Sequence, residues 1–326
     1  MIRRVTTAAA AALLLTGIAQ ADGHQAAIDG PECIAPANPG GGFDLTCRIA
    51  QNGLEPVLTE PMQVTFMPGG VGAVAINLFN TTRTDDASAI VAFSSGSLLN
   101  MATGKFGQWD EDDVRFLATA GADYGAVVVP GDSEYETLDQ LMAALEADVG
   151  SIAIGAGGGV GSQDWMKGAL LVRSRDLDPR EMRYVAFDGG GEAIAALLGG
   201  SIQAYMGDVG EMVPFMETDE MRILAVMSPE RLPAPFADIP TTAELGYDGA
   251  EWVILRGYYM GKDVPDADYD AYVAAFQAAY DSDGWADIVT AQGLSVVTMA
   301  GAELQADVEG RVNRMREIAR EAGLIE

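Results

Sequence analysis

The 326-residue sequence is poor in the residues that most often carry chemistry: one histidine, two cysteines and three lysines (Lys105, Lys167 and Lys262). The histidine, His24, precedes the first apolar pattern, so it cannot serve as the buried base of a catalytic triad. One histidine and two cysteines cannot build a zinc site, and no metal is expected. Nucleotide fingerprints are missing as well. The run Gly155-Ala156-Gly157-Gly158-Gly159-Val160-Gly161 fails Gly-x-Gly-x-x-Gly from both starts, because the third position is Val160 counted from Gly155 and Ser162 counted from Gly157. No phosphate loop ending in Gly-Lys-Ser/Thr occurs, so no cofactor is expected. Positive charge is scarce too: 19 basic against 48 acidic residues, a net charge of −29. Such a surface repels nucleic acid and anionic membranes, and both are discounted as partners. No apolar run reaches the roughly 20 residues of a membrane span, so direct membrane insertion is not expected.

What is present begins with an export signal at 1–21. Arg3 and Arg4 form its positive region, 8–15 its short apolar core, and Ala19-Gln20-Ala21 a small-residue cleavage site. Cleavage after Ala21 would release an exported protein. In that compartment an even cysteine count predicts a disulfide between Cys33 and Cys47; the alternative is two buried thiols. Cys33 begins the first strand pattern and Cys47 lies one turn into the helix pattern that follows, so a bridge would hold the glycine turn between them.

That turn, Pro39-Gly40-Gly41-Gly42 followed by Phe43-Asp44, is the stretch around which the chain is organised. Glycines let the backbone turn tightly and approach a ligand closely. The helix start offers free N–H groups and a partial positive charge, an anion site made without a cationic side chain. The design recurs. Strand patterns at 34–37, 62–67, 89–93, 151–154, 183–187 and 202–206 each end in a Gly- or Ser-rich turn before a helix. Further strands are expected at 114–120, 126–129, 222–227, 252–260 and 294–299, and helices at 45–58, 138–147, 265–280, 285–292 and 302–322. The alternation predicts α/β architecture with a parallel sheet, in which ligands bind at the carboxyl ends of strands.

Other residues carry more than one reading. Asp44, Asp188 and Asp208 sit at the glycine turns, either as ligand neighbours or as helix caps. The pair Asp188 and Asp208 could do acid/base work, although among 48 acids such pairs arise by chance. Trp165, Trp252, Tyr258 and Tyr259 line a cleft or fill a core. Arg256 interrupts the apolar run at 252–260, and three roles are open to it: an exposed face, an ion pair at a hinge, or a contact to an anion.

Taken together, several motifs resemble one family. They are Ala35-Pro36-Ala37-Asn38-Pro39-Gly40-Gly41-Gly42-Phe43-Asp44, Pro68-Gly69-Gly70-Val71-Gly72, the 156–161 run followed by Ser162, the 184–191 segment, Leu198-Gly199-Gly200-Ser201-Ile202-Gln203-Ala204, Leu224-Ala225-Val226, and Pro240-Thr241-Thr242-Ala243-Glu244-Leu245-Gly246-Tyr247. In order and spacing, from 32 to 323, they are similar to the periplasmic solute-binding proteins of tripartite tricarboxylate transporters, the Bug receptors. The resemblance implies a two-lobed periplasmic-binding-protein fold of type II, with lobe 1 at 22–124 and 252–326 and lobe 2 at 125–251. It implies a monomeric periplasmic receptor, not an enzyme, that closes over a small di- or tricarboxylate and docks on membrane transporter subunits. Carried over by position, the ligand residues are Asn38, Pro39, Gly40, Gly41, Gly42, Phe43, Asp44 and Gly69 on lobe 1. Facing them are Gly157, Gly158, Gly159, Ser162, Gln163, Asp188, Gly189, Gly190 and Asp208, with Arg256 added as a possible anion contact. Relatives often carry a His shortly after the Ser162 position and a Lys where Asp188 stands, and this chain departs from both. The spacing of Cys33 and Cys47 and the segment Arg256-Gly257-Tyr258-Tyr259 resemble the tricarboxylate subgroup, which implies a citrate-like ligand. The other readings are a carboxylate-sensing adaptor for a signalling partner and a carboxylate-using enzyme.

Overall fold

The computed structural model describes residues 28–321 and 325; the export signal expected at 1–21 and His24 lie outside the described residues. The elements run β1 (Glu32–Ala35), α1 (Gly42–Leu54), β2 (Gln63–Phe66), α2 (Ala73–Phe79), β3 (Ala89–Ser94), α3 (Ser95–Ala102) and β4 (Val114–Pro130). They continue with α4 (Leu138–Ala147), β5 (Ile154–Gly157), α5 (Gln163–Arg173), β6 (Tyr184–Phe187), α6 (Gly190–Leu198), β7 (Ala204–Asp208), α7 (Val209–Met212) and β8 (Met221–Val226). Then come β9 (Val253–Gly261), α8 (Asp266–Tyr280), α9 (Asp283–Ala291) and α10 (Ala302–Glu321).

The strands form one sheet in the order β2-β1-β3-β9-β4-β7-β5-β6, with β8 also on β4. It is mixed rather than parallel. β1, β2 and β3 are parallel at one end and β5, β6 and β7 at the other, while β9 and β4 run antiparallel to their neighbours. The strands expected at 114–120 and 126–129 are one 17-residue strand, β4. Residues 114–124 of β4 pair with β9, and 125–130 pair with β7 and β8. Gly121 hides this continuity in the sequence. Its φ of +150° accompanies a register shift, so the strand bends there without ending. The strand expected at 294–299 does not form; isolated bridges of Ser295 to Ala122 and Ala300 to Ala118, with hydrogen bonds from Thr119 to Val297 O and Met299 O, attach that segment to β4.

Among the described residues, the buried apolar side chains fall into three clusters. One is drawn from 126–250 and includes Val127, Leu141, Ile154, Leu171, Ile194 and Met206. The other two cover opposite faces of the β1–β3–β9 end. Cys33, Ala92, Leu117 and Tyr258 face one side, and Ile34, Val91, Phe116 and Tyr259 the other. Alternate residues of each strand thus serve opposite cores, which is why these strands read as continuous apolar runs. Helix α1 buries Phe43, Cys47, Ile49, Ala50 and Leu54, a helical stripe against the sheet. The Cys33–Cys47 disulfide ties β1 to that helix, with Cα atoms 5.5 Å apart.

Candidate functional site

Four strands deliver helices to one place. The turns after β1, β3, β5 and β6 put the N-termini of α1, α3, α5 and α6 around a cavity of about 50 Å³. α3 and α5 cap themselves: Ser94 Oγ accepts from Gly96 N at 3.2 Å, and Ser162 Oγ from Trp165 N at 3.2 Å. α1 and α6 start at Gly41 and Gly189 with no side-chain cap. Their first N–H groups, which have no partner inside a helix, are left to neighbours or ligand. The two glycine turns touch across the cavity. A Cβ built at Gly41 would lie 3.0 Å from Gly191 N and 3.1 Å from Gly190 N.

Beneath this shell lies a buried network of charges. Arg256, 2% exposed, donates from Nε to Asp123 Oδ2 at 2.9 Å and from Nη2 to Asp208 Oδ2 at 2.6 Å. Lys167, fully buried, donates to Asp208 Oδ1, to Gly207 O at 2.7 Å and to Asp164 Oδ1 at 2.9 Å. Asp164 Oδ2 in turn accepts from Gly157 N at 3.0 Å. None of the described hydrogen bonds of Arg256 uses Nη1, which lies against Gly42; a Cβ there would sit 2.4 Å from it. Glu211 joins the two halves of the chain: its Oε1 accepts from Gly42 N at 2.7 Å, and its Oε2 accepts from Asp208 N at 3.1 Å and bonds to the Tyr205 hydroxyl.

Two cations thus face four carboxyl groups, and the pKa shifts follow from that count. Burial works against every charge here. For Asp208 the attraction of Lys167 and Arg256 outweighs burial and holds its pKa below the ordinary value. Burial prevails at Asp123 and Asp164, which are raised despite Arg256 and Lys167 beside them. Lys167 and Arg256 are raised because their carboxylates outweigh burial. Glu211 has no adjacent cation of its own, and burial together with Asp208 and Asp164 pushes it up to about 8.

Of the residues expected to bind ligand, the cavity wall collects Gly41, Gly42, Phe43, Gly157, Ser162, Gln163, Gly189, Gly190, Asp208 and Arg256. Gly158, Gly159 and Asp188 line an adjoining cleft of about 340 Å³ that shares Val71, Asn100 and Ser162 with the cavity and also holds Lys105. Asp188 therefore stands apart from the charge network that holds Asp208. The rest support the loop. Asn38 bonds to Glu192 across the two halves, Pro39 O abuts Gly191, and Gly40, at φ +87°, donates to Asp44 Oδ2 at 2.9 Å. Asp44 thus ties the glycine loop back to the first turn of α1, and is held also by Arg48. Gly69 packs against Val74. Tyr258 and Tyr259 are core residues, stacked on Phe276 and edge-on to Phe116 respectively. Trp165 and Trp252 pack against the 126–250 cluster.

Sequence reasoning missed Asp123, Asp164, Lys167, Tyr205 and Glu211. One signal was available: Asp123 interrupts the apolar run of β4 just as Arg256 interrupts that of β9. Among the described residues, no group of three or more His, Cys, Asp or Glu is arranged to hold a metal.

A family model described as the tripartite tricarboxylate transporter family receptor matches residues 46–324. The chain belongs to this receptor family. A Cupriavidus necator protein named for the gbd 5′ region is 27% identical over 64% of this chain and 61% of its own length. Protein BugT of Bordetella pertussis is 26% identical over 66% of this chain and 65% of its own. The match spans less than two thirds of either relative. In three dimensions, the periplasmic binding protein BugD superposes with a TM-score of 0.80 at 20% identity, covering 91% of this chain and 98% of BugD. MatC of Rhodopseudomonas palustris, solved with bound malate, gives 0.74 at 18%, covering 89% and 98%. An R. palustris protein solved with adipate gives 0.78 at 18%, covering 90% and 97%. The fold is therefore the α/β fold of periplasmic binding proteins, and the family to which the chain belongs is one of receptors. Among the described residues no helix is long and apolar enough to cross a membrane.

Proposed function

We propose that this receptor works in the periplasm, holds a small di- or tricarboxylate between its lobes, and delivers it to membrane transporter subunits. The lobes are taken as 22–124 with 252–326, and 125–251. The observation that carries the reading is the pair of helix starts without an N-cap side chain, α1 and α6, meeting at the cavity with Arg256 Nη1 beside Gly42 of α1. Oriented N–H groups favour a carboxylate locally, which suits a chain whose overall charge repels one. A cavity of about 50 Å³ accommodates one carboxylate head group. The remainder of the ligand would extend into the adjoining cleft toward Lys105, whose pKa burial lowers and whose Nζ bonds only to Val160 O, at 3.3 Å, among its described contacts. Malate in MatC and adipate in the second R. palustris protein are ligands of this kind.

The reading is tested by calorimetry with mono-, di- and tricarboxylates on the wild type and on Gly41→Val. The φ of Gly41 is −103°, a region open to any residue, so the variant should keep its lobe intact. The added side chain meets α6 and should weaken binding at least tenfold, about 1.4 kcal/mol, with little loss of unfolding free energy. Unchanged affinity in the folded variant would remove the glycine turn from the site.

A further inference from the structure

Among the described residues, three buried side-chain polar atoms have no hydrogen-bond partner, and only one of them, Gln163 Oε1, belongs to the cavity wall; the others are the indole N–H groups of Trp252 and Trp285. Gln163 opens α5, is 8% exposed, and lies against Gly96 of α3, where a Cβ would come 3.4 Å from Oε1. Its Nε2 points to Asp164 Oδ1 at 3.4 Å; reversing the amide would set two oxygens face to face, so the oxygen is the free end. Neighbouring acceptors are engaged. Asp208 holds Lys167 and Arg256, Asp164 holds Lys167 and Gly157 N, and Glu211 holds Gly42 N and Asp208 N. A buried acceptor left without a donor is costly, so the site is incomplete until a donor arrives.

The cavity therefore presents a cluster of donors, which suits a carboxylate, and one neutral acceptor beside them. An ammonium would need several acceptors for its protons, whereas a hydroxyl has one proton to give. We propose that Gln163 accepts a hydrogen bond from a hydroxyl on the carbon next to the bound carboxylate, so that the receptor prefers 2-hydroxy di- or tricarboxylates to their deoxy counterparts. This specificity role rests on the carboxylate reading above.

The test is calorimetric titration of wild type and Gln163→Leu with two matched pairs, malate against succinate and citrate against tricarballylate. A site built around a ligand hydroxyl discriminates strongly against the analogue that lacks it. The wild type should favour the hydroxy acid by about tenfold or more in at least one pair. In Gln163→Leu the ratio should fall to about one, through weaker binding of the hydroxy acid and not of the deoxy acid. A ratio near one in wild type, or one preserved in the variant, overturns the proposal while leaving the carboxylate reading in place. Failure of all four acids to bind wild type overturns both.

Discussion

Burial brings the charge of Glu211 within reach of neutral pH. Its ordinary value of 4.5 is raised to about 8 by burial and by Asp208 and Asp164; the Tyr205 hydrogen bond and Arg256 offset this in part. Asp123 and Lys167 complete the surrounding charges, and the Tyr205 hydroxyl, itself raised well above its ordinary value, stays protonated beside it. Folded protein therefore keeps the Glu211 proton between about pH 4.5 and 8, while unfolded chain has lost it. The state that binds more protons loses ground as pH rises, so the Glu211 contribution to stability is complete below 4.5, declines through this window and is gone above about 8. The shift corresponds to something on the order of 5 kcal/mol. In Glu211→Gln this part of the slope should vanish. The variant's baseline should be lower, because its amide N–H₂ meets the backbone donor of either Gly42 or Asp208. Urea unfolding at pH 5, 6.5 and 8 measures it. An unchanged pH slope in the variant would place the titrating proton elsewhere.

At the scale of elements, the sequence announced what is local and concealed what is paired at a distance. The pattern at 138–147 coincides with α4, since Thr137 caps it and its apolar stripe is regular. The glycine turns after β1, β5 and β6 were legible because a tight turn before a helix has a local composition. The ion network was not, because Arg256 and Asp123 are 133 residues apart and meet only through the pairing of β4 with β9. The segment at 294–299 alternates like a strand, yet its neighbours allow it only single bridges. The disulfide joins a local signal to a consequence for the site. Cys33 and Cys47 are 14 apart in sequence and bracket the turn that carries Gly41 and Gly42. Closing a loop of that size stabilises by roughly 3 kcal/mol through the unfolded state. Cys33→Ala with Cys47→Ala should lower the unfolding free energy by about that amount. Because α1 would then lose its covalent tie to β1, ligand affinity should fall too. Loss of stability with unchanged affinity would show that the turn keeps its shape unaided.

For the whole molecule, the net charge of −29 and the buried site pull in opposite directions on an anionic ligand. Far from the surface the ligand meets repulsion, which salt screens over a Debye length of about 10 Å at 0.1 M and about 30 Å at 0.01 M. Inside, it meets helix N-termini and Arg256 at hydrogen-bonding range, where salt screens little. Association is governed by the first field and dissociation by the second. The association rate of a dicarboxylate should therefore rise several-fold, roughly threefold or more, between 0.01 and 0.15 M salt, the reverse of ordinary electrostatic steering. The dissociation rate should change by less than about twofold. Stopped-flow measurement of tryptophan fluorescence separates the two, with Trp165 and Trp252, which pack against the 126–250 cluster, as reporters. An association rate that falls with salt would mean that the cleft mouth, with Lys105, outweighs the acidic coat in guiding the ligand. If instead the dissociation rate carried the salt dependence, the bound carboxylate would have to lie in contact with solvent rather than against the buried glycine turns.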